Sequence, residues 1–175
     1  MRVIGGSARG RPLKAKVPPS VRPTTDYARE AIFSMLESRG GLLDLVVVDL
    51  YCGSGAMGIE AMSRGAAKVY FVDSDVACLA AVRVNLEPLQ LDAEAVFVRA
   101  TLPVWTPPHD VDLVLADPPY GPLDLASVLH GVLARRVVIE NDRHMDAPDG
   151  WIVTKTKRYG TTLVTMLEPD EGLGT

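Results

Sequence analysis

The 175-residue chain is short of cysteine, aromatic residues and long apolar runs, and its first 25 residues contain no acid. Each scarcity excludes something. Two cysteines, Cys52 and Cys78, are too few for a disulfide framework or a cysteine-based metal cluster, and they read as free thiols. The three histidines, His109, His130 and His144, show neither metal-ligand spacing nor a partner for a nucleophile, so no metal is expected. No apolar run approaches the ~20 residues that cross a bilayer, and Met1–Gly6 lacks the apolar centre of a signal peptide. A cytoplasmic protein without membrane attachment is the expectation. With no exposed apolar stripe in its pattern, it is expected to be a monomer. What remains, 47% hydrophobic and 23% charged residues, is the composition of one globular domain.

The net charge of −4 hides a segregation. Arg2, Arg9, Arg11, Lys14, Lys16 and Arg22 give residues 1–25 a charge of +6, while the rest of the chain carries −10. A basic segment on an acidic body favours local, salt-sensitive contacts with phosphates. Gly5, Gly6, Gly10, Pro12, Pro18 and Pro19 punctuate the same stretch, which predicts a basic arm or short hairpin over 1–22. The main domain is placed at 23–168, and 169–175 is expected to fray.

Beyond the arm, Thr24-Thr25-Asp26 offer N-cap oxygens for a helix that buries Ala28, Ile32, Met35 and Leu36 and stops at Gly40-Gly41. Strands are predicted at Val46–Leu50, Lys68–Asp73, Ala95–Val98, Leu113–Leu115 and Val137–Glu140, with helices between, the last over Leu125–Leu133. Near-continuous Val/Ile runs alternating with helices mean a parallel sheet covered on both faces. The final pair, Trp151–Lys155 and Thr162–Leu167, is separated by only Thr156–Thr161, too few residues for a crossover, and must be an antiparallel hairpin. The predicted fold is α/β: a doubly wound, mostly parallel seven-stranded Rossmann-like sheet with an antiparallel C-terminal hairpin. This is the class I architecture of S-adenosylmethionine-dependent methyltransferases.

Two motifs carry chemistry. Gly53, Gly55 and Gly58 form a G-x-G-x-x-G loop after the first strand, and Asp73 ends the second where a ribose-binding acid belongs. A nicotinamide dehydrogenase would show the same marks. Asp49 favours a different cofactor, because a carboxylate at the loop repels a pyrophosphate but suits the ammonium and sulfonium of S-adenosyl-L-methionine. Tyr51, Cys52, Gly53, Ser54 and Gly55 would then wall the cofactor, with Ser74 beside Asp73. The second motif, Asp117-Pro118-Pro119-Tyr120, follows the apolar run Val111–Ala116. Proline has no N–H for the ladder, so the chain must leave its sheet there. The turn offers a carboxylate, free carbonyls and a ring, which suit the NH₂ group of a planar amine.

Taken together, these residues resemble the bacterial small-subunit (16S) ribosomal RNA guanine-N2 methyltransferases of the RsmD type. The resemblance rests on Arg2–Gly6 with Arg9-Gly10-Arg11, on Arg22–Asp26 leading to Arg29–Phe33, and on Asp49–Gly58, Ser63–Ala66, Phe71–Asp73 and Asp117–Tyr120. It implies methyl transfer to the exocyclic N2 of one guanine, flipped into the Asp-Pro-Pro-Tyr site, in RNA that is naked or within an assembled or assembling 30S particle. It implies RNA contacts by Arg9, Arg11, Lys14, Lys16, Arg22 and Arg29. The sequence departs from the family at Tyr27, where an Arg is usual, at Asp73 in place of Glu, and at Arg99. The last departure leaves Ala100 and its backbone as the expected adenine contact. The residues alone leave adenine-N6 and protein-glutamine methylation open, together with a non-catalytic ribosome-assembly factor that kept the fold.

Overall fold

The computed structural model describes residues 1–18, 25–107, 111–119 and 121–173. Arg22, His109 and Tyr120 lie outside the described residues. Helix α1 (Asp26–Glu37) starts where Thr25 caps it, its hydroxyl accepting from the Ala28 N–H at 3.1 Å. It buries Ala28, Ile32, Phe33, Met35 and Leu36 on one face. The chain then runs through β1 (Val46–Leu50), α2 (Ala56–Ser63), β2 (Lys68–Asp73), α3 (Val76–Leu86), β3 (Glu94–Arg99), β4 (Val111–Ala116), α4 (Leu125–Val128), β5 (Ala134–Asn141), β6 (Trp151–Tyr159) and β7 (Thr162–Pro169).

All seven strands form one sheet in the order β3-β2-β1-β4-β5-β7-β6. Pairing is parallel from β3 to β5, and β7 enters antiparallel between β5 and β6. One face packs Val47, Val69, Leu113, Val138 and Met166 against α1, α2 and α3. The other packs Val48, Leu50, Val114, Val137 and Ile139 under α4 and the loops carrying Trp105 and Met145.

Two elements differ from the sequence expectation. The predicted Leu125–Leu133 helix shrinks to one turn, closed by the Asp124 cap on Ser127 at one end and by Gly131 at φ +70° shortly after the other. Conversely, β6 continues through Thr156–Tyr159, leaving only Gly160-Thr161 as the turn. The polar Lys155–Arg158 stretch lacks an apolar run because it lies on an edge strand.

The N-terminal residues are built into the fold. Val3 and Arg11 share a 2.9 Å hydrogen bond, Arg2 bridges Pro12, and Val3, Ala8 and Leu13 are buried. The Glu60 carboxylate on α2, itself 1% exposed, accepts the N–H groups of Ile4 and Gly5 at 2.7 Å each. Ser63 adds bonds to Gly5, Ser7 and Ala8. A Cβ on Gly6 would fall 1.8 Å from the Ser63 carbonyl oxygen, so only glycine permits this approach.

Candidate active site

Strand order reverses between β1 and β4, and in such sheets ligands bind beyond the carboxyl ends of the strands at that point. Both motifs arrive there. The glycine loop leaves β1, the Asp117 turn leaves β4, and the Asp117 N–H donates to the Leu50 carbonyl at 3.4 Å.

The glycine loop is held by its backbone. The Cys52 N–H donates to Val72 and the Gly55 N–H to the Cys52 carbonyl, while Tyr51 at φ 57° and Gly55 at φ 77° turn the chain. A Cβ on Gly55 would stand 2.8 Å from the Val82 methyls, so the glycine lets α3 close on the loop. Asn85, buried on α3, donates to the Ser54 carbonyl at 3.0 Å and accepts from the Ala15 N–H at 2.9 Å. That residue ties the loop to the N-terminal segment. Cys52 is buried in the core, and burial followed by the charges of Asp49 and Asp73 pushes its thiol far up, which disfavours it as a nucleophile.

Three carboxylates gather at these strand ends. Asp49 is 1% exposed and accepts the Gly58 N–H at 2.8 Å, anchoring the first turn of α2. Burial raises its carboxyl well above the ordinary carboxylate range; the Gly58 bond opposes this, and the charges of Asp117 and Asp73 add to it. Among the described residues no Lys or Arg figures among the groups acting on Asp49. Asp73 accepts from Gly53 N–H at 3.0 Å and from Asp75 N–H at 2.9 Å, with Ser74 exposed between the two acids. Such an acidic cradle attracts a cationic ligand and repels an anionic one. The Ala100 N–H donates to the Asp73 carbonyl at 3.0 Å, and its half-buried methyl packs against the core that contains Val48, Leu50 and Val72. Pro118 is buried and Pro119 exposed at the mouth of the turn.

The basic residues divide. Arg9, Arg11, Lys14 and Lys16 are exposed, with Arg11 also donating to the Pro88 carbonyl. Arg29 is a correction. Its side chain is 0% exposed, donating to the Arg2 carbonyl and to Asp26 at 2.9 Å, with Glu60 3.8 Å away. A guanidinium enclosed in this way cannot reach RNA; it braces the N-terminal hairpin against α1 and α2. Burial lowers its pKa from the ordinary arginine value, while Glu60 and Asp26 oppose the shift. Sequence reasoning missed Glu60 and Asn85. The available signal was the i, i+4 pair Glu60–Arg64, joined at 2.8 Å, on a helix otherwise without charge.

Comparison with known proteins places this geometry. The model of the family described as conserved hypothetical protein 95 matches residues 1–168. "Putative rRNA methyltransferase YlbH" of Bacillus subtilis (strain 168) is 35% identical over 185 residues, covering 95% of this chain and 97% of that protein. "Ribosomal RNA small subunit methyltransferase D" of Escherichia coli (strain K12) is 32% identical over 162 residues, covering 91% of this chain and 73% of that one. Among solved structures, "Putative methyltransferase yhhF" from Escherichia coli superimposes with a TM-score of 0.78 at 30% identity, over 97% of this chain and 98% of that one. The seven-stranded sheet is thus that of an RsmD-like methyltransferase, and the chain belongs to the conserved hypothetical protein 95 family.

Proposed function

We propose that this protein transfers a methyl group from S-adenosyl-L-methionine to the exocyclic N2 of a guanine in small-subunit ribosomal RNA. The observation that carries the reading is the convergence of Asp49, Asp73 and Asp117 beside the glycine loop, an acidic cradle that suits a cationic cofactor. When bound, S-adenosylmethionine supplies an electrophilic methyl on a sulfonium. Asp73 receives the ribose hydroxyls through its remaining lone pairs, and the loop from Tyr51 to Gly55 walls the cofactor. Asp117 and the Pro118 carbonyl accept the two hydrogens of the target amine. This turns the nitrogen lone pair toward the methyl and disperses the charge that develops there. Tyr120 is assigned from the sequence to stack on the flipped base. Asp117 need not be a strong base, since the alkylated amine is acidic. Arg9, Lys14 and Lys16 contact phosphates, and the relatives' names support RNA as their target.

The test is transfer of labelled methyl to ribosomal RNA, DNA and bulk protein by the wild-type protein and by Asp117→Ala, which, unlike Asn, leaves no acceptor for the amine. The expected result is label in ribosomal RNA alone, reduced about 100-fold or more by the substitution, with cofactor binding still detected in a calorimetric titration. Label confined to protein would overturn the substrate, and unimpaired Asp117→Ala would overturn the assigned role.

A further inference from the structure

The Asp-Pro-Pro turn is flanked on its β5 side by a surface that neither the motifs nor the N-terminal charge pointed to. β7 begins with Thr162, and Leu163 pairs with Asn141, the last residue of β5. The β6–β7 turn therefore rises from the same end of the sheet as Asp117. Register settles which side chains share a face. Lys155, Lys157 and Tyr159 pair with Met166, Val164 and Thr162, and Val164 and Met166 belong to the core beneath α1. Beyond the bulge near Val153 and Lys155, the edge strand thus presents two exposed lysines and a tyrosine at alternate positions on the α1 side. Successive members are about 7 Å apart along the strand, a step comparable with that between neighbouring phosphates of an extended nucleic acid strand.

α1 completes the face. Tyr27, 66% exposed, meets Tyr159 edge-to-face with ring centroids 5.8 Å apart and planes at 78°. The Lys157 ammonium lies 5.1 Å from the Tyr159 centroid. Exposed tyrosines usually sample several rotamers; these rings fix one another, leaving a broad face of Tyr27 toward solvent. Asp26 beside Tyr27 is taken up by Arg29, and Glu30 lies one turn further along α1. Fixed rings among cations on an edge strand are the arrangement that holds single-stranded nucleic acid, in which bases stack on aromatic faces and the backbone follows the positive charge.

We propose that Tyr27, Lys155, Lys157 and Tyr159 form a second RNA-contact surface that holds the strand flanking the target nucleotide. The inference rests on the ribosomal RNA reading above and deepens it. β6 stands three strand spacings from β4, about 14 Å, so this face cannot touch the target base. It takes a nucleotide two or three positions away, while the N-terminal lysines hold the RNA on the α3 side. The target base is thus bracketed from both sides, which fixes the direction in which the strand crosses the cleft.

The test uses the full chain and three variants: Lys155→Ala/Lys157→Ala, Tyr27→Ala and Tyr27→Phe. Binding to a single-stranded fragment of small-subunit ribosomal RNA and to assembled subunits is measured at several salt concentrations, with cofactor affinity and melting temperature alongside. Loss of two phosphate contacts lowers the salt slope of log K by about 1.4. Loss of a stacked ring weakens binding about 5- to 150-fold, and Tyr27→Phe restores it. Cofactor affinity and melting temperature stay at wild-type values. Unchanged RNA affinity and salt slope in the variants of a wild-type protein that does bind RNA would overturn this surface alone. A loss confined to assembled subunits would assign the face to a ribosomal protein and overturn the RNA contact. A wild-type protein that neither binds nor methylates ribosomal RNA would overturn the underlying reading and this inference with it.

Discussion

Asp49 is where the residue-level account is most exposed to test. Its carboxylate sits in the sheet, 1% exposed, with the Gly58 N–H as a partner and two further carboxylates nearby. Its pKa in the folded chain lies above the unfolded value, so its contribution to stability is present below about pH 4 and is lost as pH rises through the folded value. Asp49→Asn removes that loss and keeps an oxygen for Gly58. Without cofactor, the variant should therefore melt at or above wild type at pH 7–8, yet bind S-adenosylmethionine about tenfold more weakly or worse. A thermal melt with and without the cofactor reads both quantities. A lower melting temperature together with unchanged affinity would show that Asp49 serves α2 only. Asp73 predicts the complementary pattern. Asp73→Ala frees the Gly53 and Asp75 N–H groups together, so cofactor affinity and loop order should fall in step, by at least tenfold in affinity. A calorimetric titration checks it.

Among elements, the N-terminal segment gains most in definition from the structure. Its charge and its glycines left an arm or a short hairpin open; Val3, Ala8 and Leu13 lie in the core, and Glu60 grips the segment's backbone while pairing with Arg64 and Arg29. Deleting it would expose that core and leave buried charges without partners, so truncation cannot isolate RNA binding. Glu60→Ala should cost about 3–5 kcal/mol, the usual loss when one member of a buried ionic cluster is removed, as read by denaturant unfolding. A loss below 1 kcal/mol would show that the hairpin docks without it. The clean probe of RNA contact is Arg9→Ala/Lys14→Ala/Lys16→Ala, all exposed residues. Its melting temperature should match wild type while the salt slope for single-stranded RNA falls by about 2, or 0.7 for each lost phosphate contact.

At the scale of the whole molecule, the sheet, its strand sequence and the location of the cleft were legible because buried parallel strands leave long Val/Ile runs and glycines mark the turn into α2. The Asp49, Asp73 and Asp117 positions were legible for the same reason, Asp49 lying one residue before its strand ends, Asp73 closing the next and Asp117 following β4. What was hidden involves contacts between distant segments. Arg29 and Tyr27 lie two positions apart on α1 and so on opposite sides of the helix: Arg29 shares the stripe of Ile32, Phe33 and Leu36 and is enclosed by Glu60 from α2, while Tyr27 stands in solvent against Tyr159 from β6. The helical period separates the two, but their partners, distant in sequence, left no local mark. The edge strand's polar half was read as loop because an edge needs no apolar alternation, and α4 was overextended because its apolar residues pack without remaining helical. On the proposed reading, the acidic residues at the strand ends form a cofactor cradle between two basic margins, with the remaining negative charge elsewhere on the body. The most direct test of that account is transfer of labelled methyl from S-adenosylmethionine to unmethylated small ribosomal subunits, followed by digestion of the RNA to nucleosides. The account predicts label in N2-methylguanosine alone, at one position; label in methyladenosine or in ribosomal protein, or none in the RNA while the cofactor still binds, would contradict it.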